Sequence, residues 1–180
     1  MLTKEGLIKK IDARKANREN EINQIPIEWM RKKYQKKLEN DERMNEYFLE
    51  LGDVLLNRYN KPIPRIIFYL MNAFFGLSLF KKQFHLGGAP RDFIDSILDY
   101  VMFVSSYGAW PIEIEEVTEN RVVAYLDQCT VKCDNHLKLC RAATSMEPRL
   151  SKKPWFGAKV AYTERIPEGA QRCKLVFERK

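Results

Sequence analysis

Thr163-Glu164-Arg165-Ile166-Pro167-Glu168-Gly169-Ala170-Gln171-Arg172-Cys173-Lys174-Leu175-Val176-Phe177 carries the fold decision for this chain. The stretch reads as the end of one strand, a polar turn, and a second strand carrying a cysteine. Upstream, Ala158-Lys159-Val160-Ala161-Tyr162-Thr163 alternates apolar and polar residues, so it pairs with Cys173–Arg179 across the Pro167-Glu168-Gly169 turn. A similar pattern lies earlier. Ile112, Ile114 and Val117 flank acidic residues, Thr118-Glu119-Asn120-Arg121 is a turn, and Val122, Val123, Tyr125 and Leu126 return. Strands are therefore expected near 112–117, 121–127, 157–164 and 173–179, in one antiparallel sheet.

Between the hairpins, Cys129, Cys133, His136 and Cys140 are spaced by four, three and four. On a helix those offsets form one stripe. A helix from Cys129 to Met146 is expected, followed by a loop from Pro148 to Pro154. Earlier segments are helical. Residues 3–23 set Leu7, Ile8, Ile11 and Ile22 among charges, the pattern of an exposed amphipathic helix with a thin apolar face. Glu28 to Tyr59 repeats apolar residues mostly at three or four, with a break near Asn40-Asp41 and a stop at Asn60-Lys61-Pro62-Ile63-Pro64. Arg65 to Phe84 is apolar on nearly every side, which predicts a core helix. After Gly87-Gly88-Ala89-Pro90, a further helix buries Phe93, Ile94, Ile97, Leu98, Val101 and Met102, and ends around Ser105 to Gly108. Helices first, then strand–strand–helix–strand–strand, is an α+β order with an antiparallel sheet. The division expected is 1–60 as an N-terminal helical extension and 61–180 as an α+β ligand-binding domain.

The totals fit this picture. The chain has 180 residues, 45% hydrophobic and 31% charged, enough for a real core. Its net charge of +7 comes from 31 Lys and Arg against 24 Asp and Glu. A basic balance suits nucleic acid, a membrane surface or anionic ligands. No nucleic-acid module is visible, so the excess is read chiefly as solvated helix faces. The run from Ile63 to Phe80 is interrupted by Pro64, Arg65, Asn72, Gly76 and Ser78, which argues for a buried helix and no membrane span. Four cysteines in no disulfide-type spacing, behind a charged opening without a signal-peptide pattern, predict a reducing, cytoplasmic setting.

The cysteines admit three readings. Buried cysteine behaves as a small hydrophobe, so the stripe can be core packing. Thiolates can hold zinc or an iron–sulfur cluster. The stripe spans about 16 Å at ~1.5 Å per residue, too long for one ion. Subsets such as Cys133, His136 and Cys140, or Cys129 with Cys133 and Cys173, remain candidate metal ligands. The third reading is a nucleophilic thiol: Cys133 and His136 are helix neighbours, and a Cys–His pair is a common activation scheme. Cys129, at the expected helix start, is the first choice for a lowered pKa. Aromatics crowd the central helices as core, or as the wall of an apolar pocket. His85, Tyr100, Phe103 and Trp155 are the candidate ligand contacts. Lys152-Lys153-Pro154-Trp155-Phe156 is a basic–aromatic loop suited to an anionic ligand or a partner.

The element order and the closing hairpin resemble the 4-vinyl reductase domain superfamily, over roughly residues 90–180. The carrying residues are Glu164, Gly169, Cys173 and the apolar Leu175 and Phe177. Within it, the chain looks most like L-2-amino-thiazoline-4-carboxylic acid hydrolase-like proteins, in which a cysteine follows the second strand, as Cys129 does, and another lies in the next helix, as Cys133 or Cys140 would. The resemblance implies a fold shared with Golgi trafficking-particle subunits and haem-based nitric-oxide sensors. It also implies a pocket between helices and sheet, with an iron–sulfur cluster, zinc or haem as conceivable cofactors. Three functions are expected. The first is binding of a small ligand or cofactor in a pocket lined by cysteines. The second is hydrolysis of a cyclic thiazoline or amide-like substrate by Cys129 or Cys133 with His136. The third is a structural module that forms a homodimer.

Overall fold

A computed structural model describes residues 2–39, 63, 66, 69–84, 90–104, 112–127 and 137–180. The expected break at Asn40-Asp41, the loop at 87–89, the helix end near Ser105 and the proposed boundary at residue 60 lie outside the described residues. Ile63, read as part of a stop, is helical. Proline is tolerated in a first helical turn, so a Pro-rich stretch does not by itself exclude one.

The architecture is α+β with a four-stranded antiparallel sheet. Strands β1 (Ile112–Val117), β2 (Arg121–Leu126), β3 (Ala158–Glu164) and β4 (Cys173–Arg179) lie in the order β1-β2-β4-β3. All three pairings are antiparallel. The two hairpins thus merge into one sheet, with β4 pairing β2 and β3. The period-two pattern sets the faces. Val122 opposes Phe177, Ala124 opposes Leu175 and Leu126 opposes Cys173. All six are buried and face the helices as part of the main core. The opposite face carries Val123 against Val176 and Tyr125 against Lys174. A bulge after Tyr162 shifts the register so that Glu164 opposes Lys174. The β3–β4 connection is a 3₁₀ turn at Ile166–Glu168 closed by Gly169 at φ 95°, a left-handed conformation that favours glycine.

The N-terminal segment is two helices, not the single one expected. Helix α1 (Lys4–Ala16) is capped by Thr3, whose hydroxyl accepts from the Gly6 N–H. It stops at Asn17 (φ −92°, ψ 12°), and α2 (Arg18–Asn23) follows. The thin apolar face of α1 is real, but it is not outside the core. Leu7 and Ile11 are buried among Ile97, Tyr100, Val122 and Leu126. Helix α3 (Glu28–Glu39) packs Met30 and Tyr34 with Ile22, Ile25 and Met102 in a second, smaller cluster.

Residues 65–84, apolar on nearly every side, were expected to form a core helix. Instead a π turn (Met71–Gly76) leads into α4 (Leu77–Phe84), and only part of the surface is covered. Ala73 and Phe80 are buried, while Ile66, Tyr69, Leu70 and Phe74 are exposed. One helix has more apolar faces than one sheet layer can cover. Helix α5 (Phe93–Val104) is the central helix, with Phe93 and Ser96 to Met102 all buried. The expected helix to Met146 ends at Ala143: α6 runs Leu137–Ala143. A separate one-turn α7 (Glu147–Leu150), with Pro148 in its first turn, occupies the start of the expected loop.

Charge pairing fastens α1 to α5. Asp99 is 1% exposed and lies 2.9 Å from an Arg14 nitrogen and 3.0 Å from Arg91 Nε. Arg14 also grips Glu21 with two hydrogen bonds of 2.9 Å. Burial still lifts the Asp99 carboxyl to about 6, against the pull of Arg14 and Arg91. An acid with a higher pKa folded than unfolded binds more protons when folded. Its contribution to stability is therefore fullest below about pH 4 and is lost as pH rises through about 6.

Two outcomes are expected. From 3.8 to about 6 at ~1.4 kcal/mol per pH unit, the stability difference between wild type and Asp99→Asn should shift by on the order of 3 kcal/mol between acid and neutral pH, against the wild type. Urea unfolding across that range measures it, and a pH-independent difference would refute it. The second concerns Gly157, where an added Cβ would sit 2.5 Å from the Arg91 carbonyl oxygen and 2.7 Å from Asp92 backbone atoms. Backbone cannot yield as a side chain does, so Gly157→Ala should cost about 1–3 kcal/mol. An unchanged melting temperature would show the two loops to be separable.

Candidate functional site

The turn between α6 and α7 builds the floor of an open cleft. Thr144 closes α6 by donating its hydroxyl to the Cys140 carbonyl at 3.0 Å. Ser145 donates to the Tyr69 carbonyl at 3.4 Å, which ties this turn to the helical segment before the π turn. Ser151 bridges to β3 by donating to the Val160 carbonyl and accepting from its N–H, at 3.1 and 2.8 Å. These ties position Arg141, Arg149 and Lys152 on one wall. Arg165 comes from the extended residue between β3 and the 3₁₀ turn. The resulting cleft, about 440 Å³, is lined by Tyr69, Arg141, Thr144, Ser145, Pro148, Arg149, Lys152 and Arg165.

Four of these eight residues are cationic and none is acidic. Glu168 is the nearby counter-charge, 3.1 Å from Arg141 and 3.6 Å from Arg165, so two guanidiniums share one carboxylate. Arg149 donates to the Tyr69 hydroxyl at 3.3 Å and lies over the Phe74 ring, 4.1 Å from its centre. A guanidinium on an aromatic face keeps its outer N–H groups directed at solvent or ligand. The Arg165 Nε is buried with no hydrogen-bond partner among the described residues. A smaller cleft of about 240 Å³, beside α1 and β1, mixes Lys4 and Lys15 with Asp12 and Glu113 and lacks this bias.

Behind Arg165 lies a buried polar cluster. The Tyr100 hydroxyl donates to Glu147 Oε1 at 2.7 Å, and Tyr162 shares a hydrogen bond with Tyr100. Burial pushes the Glu147 carboxyl above its ordinary range, opposed by the Tyr100 hydrogen bond and by Arg165. Its second oxygen has no hydrogen-bond partner among the described residues. Burial likewise raises both phenols, and Glu147 adds to the effect. Cys140 and Cys173 lie close enough to raise Tyr162 further. Arg165 packs over the Tyr162 ring at 5.8 Å and also lines the cleft, so one side chain touches both.

Cys129, Cys133, His136 and His85 lie outside the described residues. Cys140 and Cys173 are buried, and the Cys173 sulfur accepts from the Ile166 N–H at 3.4 Å. Among the described residues no three His, Cys, Asp or Glu side chains converge to hold a metal. Tyr100 is in the core, edge-on to Phe177 at 5.5 Å. Phe103 and Trp155 pack on Phe80, at 5.2 and 6.2 Å between ring centres. The cleft was not read from sequence, because its cations come from positions up to 24 residues apart and face Tyr69 across the fold. Lys152, in the basic–aromatic loop, was its one visible member.

Cys140 and Cys173 should alkylate with iodoacetamide only after unfolding, since a buried thiol is screened from reagent. Peptide mass mapping of native and urea-treated protein checks this. Labelling of either residue in the native state at the rate of a free cysteine would contradict the packing described. Compared with family models, curated proteins and solved structures, the chain matches none.

Proposed function

We propose that this protein binds a small anionic molecule with an aromatic or apolar portion, held in the cleft between Tyr69 and Arg165. The observation that carries the reading is the convergence of Arg141, Arg149, Lys152 and Arg165 on one concave surface without an acidic lining residue. Arginine suits carboxylate and phosphate because its planar donors match their paired oxygens. Tyr69 and Phe74 offer ring faces beside those donors. Thr144 and Ser145 have hydroxyls spent on backbone carbonyls, so charge rather than hydroxyl pairing selects the ligand.

This keeps the small-molecule function expected of a 4-vinyl reductase-like fold, in a cleft walled by the α6–α7 turn and the edge of the sheet. The cleft lining holds neither Cys140 nor Cys173, which are buried, so in this reading the two cysteines pack and do not contact the ligand. A reducing, cytoplasmic setting is kept with this reading. Hydrolysis by Cys129 or Cys133 with His136 rests on side chains outside the described residues.

Titration calorimetry with phenyl phosphate and benzoate, against neutral benzamide, tests the reading. The anions should bind and benzamide should not. Arg149→Gln and Arg165→Gln should each weaken the anions about tenfold or more, the loss expected for one charge-assisted contact. Equal binding of benzamide, or affinities unmoved by both substitutions, would overturn it.

A further inference from the structure

Five of the six large hydrophobic residues that stand exposed among the described residues occupy helical positions between 63 and 74: Ile63, Ile66, Tyr69, Leu70 and Phe74. Each is between 40% and 70% exposed. Positions 63, 66, 70 and 74 recur at three or four, the sequence spacing of one apolar helix face. The wider π turn that follows keeps Phe74 on the same side. A clustered apolar strip of this kind marks an interaction surface, whereas single exposed apolar residues do not.

The strip does not stand alone. Tyr69 belongs both to it and to the cationic cleft, and Arg149 lies over Phe74 while reaching the Tyr69 hydroxyl. Apolar residues and a dense positive field therefore meet along one edge. No helix among the described residues is long and apolar enough to cross a bilayer. An apolar strip flanked by cations is the chemistry of a helix that lies in the plane of an anionic lipid surface, with apolar side chains in the acyl boundary and cations at the phosphates. A second copy of the chain fits less well. A two-fold contact through this strip would bring two cationic clefts side by side, and like charges at an interface oppose association.

We propose that the face formed by Ile63, Ile66, Leu70 and Phe74 docks this protein on an anionic phospholipid bilayer, with Arg149 and the neighbouring cleft cations held against the lipid phosphates. The docking shares the cleft cations with the ligand reading but adds the apolar face, and the two are told apart because binding of soluble anions is measured without vesicles.

The test is co-sedimentation of the full chain with phosphatidylcholine vesicles, and with vesicles holding about a third phosphatidylglycerol, at about 0.1 M and about 0.5 M salt. The chain should sediment with the anionic vesicles alone, and less at high salt. Leu70→Ser and Ile66→Ser, on exposed positions and checked for folding by circular dichroism, should together weaken binding about tenfold or more. Arg149→Gln should weaken it and reduce its salt dependence. Failure to sediment at low salt overturns the proposal. Binding that the two serine variants leave intact also overturns it, by reducing the effect to general surface charge. So does a dimer seen by light scattering that Leu70→Ser dissolves, without vesicle binding, because the occupant is then a second copy.

Discussion

The inner face of β4 is the constraint on which the rest of the structure depends. Leu175 and Phe177 are pinned from both sides, by β2 through Ala124 and Val122 and by β3 through Tyr162 and Val160. A slip of one residue would turn both to the opposite face and bring Lys174 and Glu178 into the core. With that register set, Tyr100 meets Phe177 edge-on and Tyr162 lies in the same layer. The cluster behind the cleft and the placement of Arg165 at the end of β3 both follow from it. Sheet register thus reaches the cleft within a few residues of chain.

Two carboxylates are buried on either side of α5, and each meets the cost of desolvation differently. Asp99 has full counter-charge from Arg14 and Arg91 and serves as a clasp between α1 and the start of α5. Glu147 has a phenol at one oxygen and a guanidinium at longer range. Burial raises both carboxyls, so both protonate more readily than an exposed acid, but only Asp99 is held by ion pairs whose removal would leave an uncompensated charge. Asp99 is therefore built for attachment. Glu147 is the group whose protonation a change of charge on Arg165 would move.

The hairpins were legible because strand alternation and polar turns are local signals. Ile112–Val117 and Cys173–Arg179 emerged with the bounds read from their patterns. The union of the two hairpins in one sheet was legible too, since each has a single apolar face in want of a common core. The helix before Phe84 misled, because an all-round apolar pattern states what needs covering and not what is available to cover it. Ile66 and Leu70 nonetheless stand exposed, which no periodicity records. The cleft was illegible for a related reason. Arg141, Arg149 and Arg165 look like ordinary surface cations in sequence, and only the α6–α7 turn and the end of β3 bring them to Tyr69. The cysteine stripe was the loudest sequence signal; its described thiol, Cys140, and Cys173 on the closing strand are buried as small hydrophobes are.

The clasp between Arg14 and Asp99 joins positions 85 residues apart. Synthesis runs from the N-terminus, so α1 leaves the ribosome well before its partner helix exists. The strands that complete its core neighbourhood come later still. Through that interval Leu7 and Ile11 have no seat. Two buried apolar residues on a largely polar helix are a small liability in a nascent chain, and the five lysines and arginines of α1 keep it solvated while it waits. A richer apolar face would dock more tightly at the end, but it would also find wrong partners on the way. The thinness of that face therefore suits a segment that is made early and seated late.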